Sequence, residues 1–224
     1  MEKLNLKLSR LKRRSEYYIN STIIKLIKNP GIIITGCGRS GTTYISKYFK
    51  KIGFDVGHER LGVNGISSWY LSSEQKKVPF GPSLNEVSYL PFPIVHQVRE
   101  PLQSISSIQS IGKLSWDFIK KEVPINDSDS GILKSMKYWY FWNIKSENKS
   151  IFTYRIESLD ESIFELCRMA KIDIASSKLN MQLNKKINSR KHKHLTWDDL
   201  RKESIVLTDQ IIEMGKNYGY KISE

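Results

Sequence analysis

Gly36, Gly38 and Gly41, together with Arg39, Ser40, Thr42 and Thr43, have the types and the spacing to hold a phosphate. Glycines let the backbone approach an anion closely, and N–H groups at a helix start point at it with the positive end of the helix dipole. The alternative, an ordinary tight turn between a strand and a helix, does not explain three glycines among one cation and three hydroxyls. Other polar groups stand at comparable places. Arg99 closes an apolar segment, His58-Glu59-Arg60 follows another, and residues 184–194 form the densest basic run, with Arg190 its only guanidinium.

The elements that must position these groups follow from the hydrophobic pattern. Ile32, Ile33 and Ile34 form an uncharged β-branched run that reads as a buried parallel strand. Tyr44, Ile45, Tyr48, Phe49 and Ile52 lie on one side of a helix over 42–52. Further strands are predicted at 53–57, 93–98 and 151–155. Ligands of open α/β sheets bind at the carboxyl ends of strands, which places His58-Glu59-Arg60 and Arg99 near the glycine loop. Pro101 suits the first turn of a helix carrying Leu102, Ile105, Ser106, Ile108 and Ile111. Residues 67–71 are expected to be helical, 76–82 and 122–131 to be loops, and Thr196 to cap a helix. The aromatic stripe Met136, Tyr138, Trp139, Tyr140, Phe141 and Trp142 reads as core, and His96 as a satisfied core histidine. A last helix runs from Ile205 to Gly219.

Strand and helix alternate throughout, so 224 residues are expected to form a single α/β domain, a mostly parallel sheet flanked by helices. Residues 1–29 are a basic helical extension, with a helix over most of 10–28 packed on the domain's edge; a membrane-surface role is the alternative. The net charge of +13 implies anionic partners. Two cysteines are too few for a disulfide framework and, with no membrane span or signal segment visible, suggest a cytoplasmic protein.

Gly36-x-x-x-x-Gly41 has the spacing of a nucleotide-triphosphate loop, but Thr42 stands where such a loop carries lysine, and the nearest cation is Arg39. In this respect Arg39-Ser40-Gly41-Thr42-Thr43 resembles the phosphosulfate loop of sulfotransferases that use 3′-phosphoadenosine 5′-phosphosulfate (PAPS), in the arginine form of the tyrosylprotein and bacterial enzymes. The resemblance implies a P-loop α/β fold and sulfuryl transfer to a hydroxyl or amine of a small-molecule or glycan acceptor, with no metal. Gly38 to Thr43 would bind the 5′-phosphate and Arg39 the leaving oxygen. Arg99 and Ser107, eight residues apart, match the family's pair that holds the 3′-phosphate. Arg190 would contact phosphate from a basic lid. Glu59, twenty residues after Arg39, would be the base, with His58 the other candidate. Glu157-Ser158-Leu159 is similar to a further family segment, except that Ile156 replaces its usual tyrosine. One rival is a P-loop kinase of nucleosides or small molecules, against which stand the missing lysine and the lack of a strand ending in a metal-binding Asp. The other is a nucleic-acid-binding protein, against which stand the even spread of cations and the absence of a recognition motif.

Overall fold

The computed structural model describes residues 2–27, 29–76, 78, 81–173 and 194–223, with the backbone alone for 2–10. Among them are five strands: β1 (Ile32–Thr35), β2 (Gly57–His58), β3 (Gly65–Ser67), β4 (Ile94–Val98) and β5 (Phe152–Arg155). They form one sheet in the order β2-β3-β1-β4-β5, parallel at every pairing. Helices cover both faces, as α/β patterning requires. Helices α1 (Glu2–Ile27) and α2 (Thr42–Lys51) flank β1, and the short α3 (Leu84–Val87) precedes β4. Helices α4 (Pro101–Ile108), α5 (Lys113–Ile119) and α6 (Gly131–Glu147) lie between β4 and β5; α7 (Leu159–Met169), α8 (Trp197–Glu203) and α9 (Ile205–Asn217) follow.

Side chains of a strand alternate between faces, and β1 divides the core accordingly. Ile33 packs with Tyr17, Ile24, Ile105, Trp139, Leu200 and Ile211 on one face. Ile32 and Ile34 pack with Ile45, Phe49, Val95, Ile163 and Leu166 on the other. All three isoleucines are fully buried. The aromatic stripe of α6 lies largely in the first cluster, with Tyr138, Trp139 and Trp142 inside it.

Three local expectations change. The strand expected over 53–57 is reduced to Gly57–His58, because the backbone of Asp55 bonds instead to Asn64, through its amide to Asn64 Oδ1 (3.0 Å) and its carbonyl to the Asn64 amide (3.1 Å). The helix expected at 67–71 splits: Ser67 ends β3, and only Trp69–Ser72 makes a 3₁₀ turn. The N-terminal helix runs from Glu2, well before residue 10. The capping expectation at Thr196 holds, its hydroxyl accepting the Asp199 amide at 3.2 Å.

Parallel neighbours usually need a long crossover. The link from β2 to β3 takes only residues 59–64, since β2 itself is two residues long. The reversal uses left-handed backbone at Glu59 (φ 53°) and at Gly65 (φ 120°), and is braced by paired hydrogen bonds from Arg60 to the Asp55 carboxylate. Glu59 thus leaves the sheet at the carboxyl end of β2.

Candidate active site

The glycine loop joins β1 to α2, where helix geometry leaves the first N–H groups without intrahelical acceptors. Sterics explain two of its glycines. A Cβ on Gly36 would fall 2.2 Å from the Gln97 carbonyl oxygen, and Gly41 has φ 99° with Ile156 and Gln97 packed against it. Two polar groups of the neighbouring strands hold the loop. Gln97 Nε2 donates to the Ser40 carbonyl (2.7 Å) and in turn accepts the Tyr154 hydroxyl hydrogen at Oε1. Arg39 has left-handed backbone (φ 73°), and its carbonyl accepts from Arg99 Nη1 at 3.2 Å.

The residues read from the sequence as two anion contacts meet here. Arg39 Nε donates to Ser107 Oγ at 2.8 Å, while Arg99 reaches Arg39 and, through Nη2, Gln103 Oε1 (3.1 Å). Gly38, Arg39, Gly41, Thr42, Thr43 and Arg99 line one cleft of about 280 Å³ together with His58 and Glu59. Ser40 and Ser107 lie beneath the surface, each 1% exposed. Among the described residues Ser40 Oγ is buried without a hydrogen-bond partner; it lies beside Gly36 and does not line the cleft. Arg190 lies outside the described residues.

His58 Nε2 is 3.1 Å from Thr43 Oγ1 and 3.3 Å from Thr42 Oγ1. Burial, more than any charge, pulls its pKa below the ordinary imidazole value; Glu59 opposes this, and Arg13 and Lys47 add to it. The ring is therefore neutral near pH 7, and in the tautomer with its proton on Nδ1 it accepts from one threonine hydroxyl. Glu59 Oε1 accepts from Trp69 Nε1 at 3.2 Å, and Oε2 lies 3.5 Å from Arg13 Nη1 of α1. Arg60, its neighbour, is taken by Asp55.

His96 and Cys37 take no part in proton or nucleophilic chemistry. Burial lowers the His96 pKa to about 4, and its ring nitrogens contact Asn143 and Thr153 within the core. Cys37 is buried beside Tyr138, and its thiol is pushed up, away from the reactive thiolate. Among the described residues no group of His, Cys, Asp and Glu is arranged to hold a metal ion, and no helix is long and apolar enough to cross a membrane.

Four contributors escape the sequence reading. Tyr138, one of the core aromatics, accepts the Gly38 amide hydrogen at its hydroxyl (2.9 Å) and lines the cleft. Trp69 and Arg13 hold Glu59. Gln97 had a visible signal, a polar residue beside His96 in an otherwise apolar strand; the other three had none.

Fold and loop together define an α/β protein with a glycine-rich loop between β1 and α2, at the carboxyl end of β1. No protein-family model matches the chain, and no curated protein matches it. Among solved structures, mouse sulfotransferase SULT7A1 complexed with PAP is similar at 14% identity over 66% of this chain, with a TM-score of 0.41. The match spans 60% of that protein's chain.

Proposed function

We propose that this chain is a sulfotransferase that moves a sulfuryl group from PAPS to a hydroxyl or amine of a small molecule or glycan. One observation carries the reading: Arg39, Arg99 and Ser107, from the loop, the end of β4 and α4, form a connected cluster beside the glycine loop. A phosphosulfate at the loop and a second phosphate at Arg99 and Ser107 suit that double site. The cations Arg39 and Arg99, which line the cleft with Gly41, Thr42 and Thr43, support an anion held at the start of α2.

PAPS supplies the activated sulfuryl group, whose transfer leaves negative charge on the bridging oxygen. The chain's own residues do the rest. Arg39, bonded here to Ser107, would neutralise the charge that grows on that oxygen in the transition state. One of Thr42 and Thr43 donates its hydroxyl hydrogen to neutral His58, and the other donates to the bound group. Glu59 takes the acceptor's proton, its carboxylate aimed by Trp69. Gly38 and Ser40 have amides already bonded to Tyr138 and to the Cys37 carbonyl, so the phosphate contact falls mainly on the start of α2. A cytoplasmic setting fits the two free, buried cysteines.

Calorimetry with adenosine 3′,5′-bisphosphate, ATP and duplex DNA tests the class. Stoichiometric binding of the bisphosphate, with neither of the others bound, is expected. Preferential ATP binding returns the kinase reading, and DNA binding alone the nucleic-acid one. Cell extract with PAPS, searched for a mass gain of one sulfonate, then identifies the acceptor.

A further inference from the structure

Helix α1 buries one face and leaves another uncovered. Tyr17, Ser21 and Ile24, spaced four and three apart, are buried against the domain, and Tyr17 and Asn20 anchor the helix to the Glu86 and Leu61 carbonyls. On the far side, Leu11, Tyr18, Leu26 and Ile19 lie along one broad line, about 100° wide at 3.6 residues per turn. They are 57%, 54%, 78% and 60% exposed. Ser15 and Thr22, also exposed, fill the same line.

Cations border this stripe on both sides. Lys12 flanks the Ile19 edge, and Arg14 and Lys25 flank the Leu11–Tyr18 edge, all three exposed. Lys25 also lies 4.4 Å over the Tyr89 ring. Across 11–27 the single acid is Glu16, against Lys12, Arg13, Arg14 and Lys25.

We infer that this face of α1 docks the protein on an anionic lipid surface. A helix with an apolar stripe between cationic borders lies in the plane of a bilayer interface, with its apolar side chains below the headgroups. Lysine and arginine stems reach up along the stripe to the phosphates. The net charge of +13 adds long-range attraction to an anionic surface. A second copy of the chain fits worse. Two such stripes face to face would set Lys12, Arg14 and Lys25 of one against those of the other, and would bring Ser15 and Thr22 into the seam. The inference stands apart from the sulfuryl-transfer reading, since it uses no residue of the cleft.

Co-sedimentation of the whole chain with vesicles tests it, comparing phosphatidylcholine alone with phosphatidylcholine plus phosphatidylglycerol. Binding to the anionic vesicles only, weakened by salt, is expected. The combined Leu11→Ser, Ile19→Ser and Leu26→Ser variant should lose at least about tenfold in partition. The Lys12→Gln, Arg14→Gln and Lys25→Gln variant should lose on the order of 100-fold, about fivefold per cation. Both sets are exposed, so an unchanged thermal melt shows that the variants remain folded. Three results overturn the inference: no binding to anionic vesicles at low salt; undiminished binding of the serine variant, which leaves only diffuse charge; or a dimer in sedimentation velocity that the serine changes dissociate while vesicles are ignored.

Discussion

The loop wall of the cleft, residues 36–43, takes its shape from backbone: glycines that exclude side chains, a helix start, and carbonyls tied to Gln97 and Arg99. A second wall, with His58, Glu59, Trp69 and Tyr138, touches the loop through His58 and Tyr138 and takes its shape from side chains drawn from β2, a 3₁₀ turn and α6, and from Arg13 of α1. An anion can be recognised by amides and dipoles whose geometry is common to every helix start. An acceptor has no such generic receptor, so its wall is assembled from whatever side chains the fold brings near. Donor binding and proton removal should accordingly fail separately when the two walls are altered.

The largest separation is expected at Glu59. Glu59→Gln keeps shape and removes the basic oxygen, so turnover should fall by about 10²–10⁴-fold while affinity for adenosine 3′,5′-bisphosphate stays nearly intact. His58→Asn should do less. Steady-state rates and calorimetry on the same preparations check this; full turnover in the glutamine variant with none in the asparagine variant would reverse the two roles.

Arg99→Ala probes the other wall. Losing a charge-assisted phosphate contact should cost on the order of 2–5 kcal/mol in bisphosphate affinity. Adenosine 5′-phosphosulfate, which lacks the 3′-phosphate, should be affected much less. Arg99 also holds the Arg39 carbonyl, so equal losses for both ligands would mean that it acts only by shaping the loop.

Tyr138→Phe tests a hydroxyl that joins the two walls. It leaves the Gly38 amide without its partner, an effect of about 1 kcal/mol on stability. A small fall in melting temperature is expected, with modest losses in both affinity and turnover. An effect confined to one of the two would place Tyr138 on that wall alone.

The same division governs what could be read from sequence. The loop was legible because its glycines, hydroxyls and cation lie within eight residues, and Arg99 and Ser107 because they share one strand-to-helix unit. The parallel sheet followed from apolar runs such as Ile32–Ile34. The β2–β3 reversal was hidden, since a two-residue strand has no periodicity and Glu59 is no turn-forming residue. Tyr138 was hidden too: its bond to Gly38 spans 100 residues, and its place in an apolar helix suggests only packing. Contacts of that range are set by tertiary structure, which local pattern does not encode.

Arg39 and Glu59 both sit in left-handed backbone, where a residue with a Cβ costs roughly 1–2 kcal/mol and glycine costs nothing comparable. Glycine at either position would relieve that cost while giving up side-chain contacts, the Ser107 hydrogen bond of Arg39 or the Trp69 hydrogen bond and Arg13 ion pair of Glu59, worth about 1 kcal/mol each. The fold therefore gains little from keeping them, and the proposed sulfuryl transfer is what would hold them in place. Among descendants of this sequence, glycine at position 39 or 59 would mark lineages that kept the architecture and abandoned the chemistry.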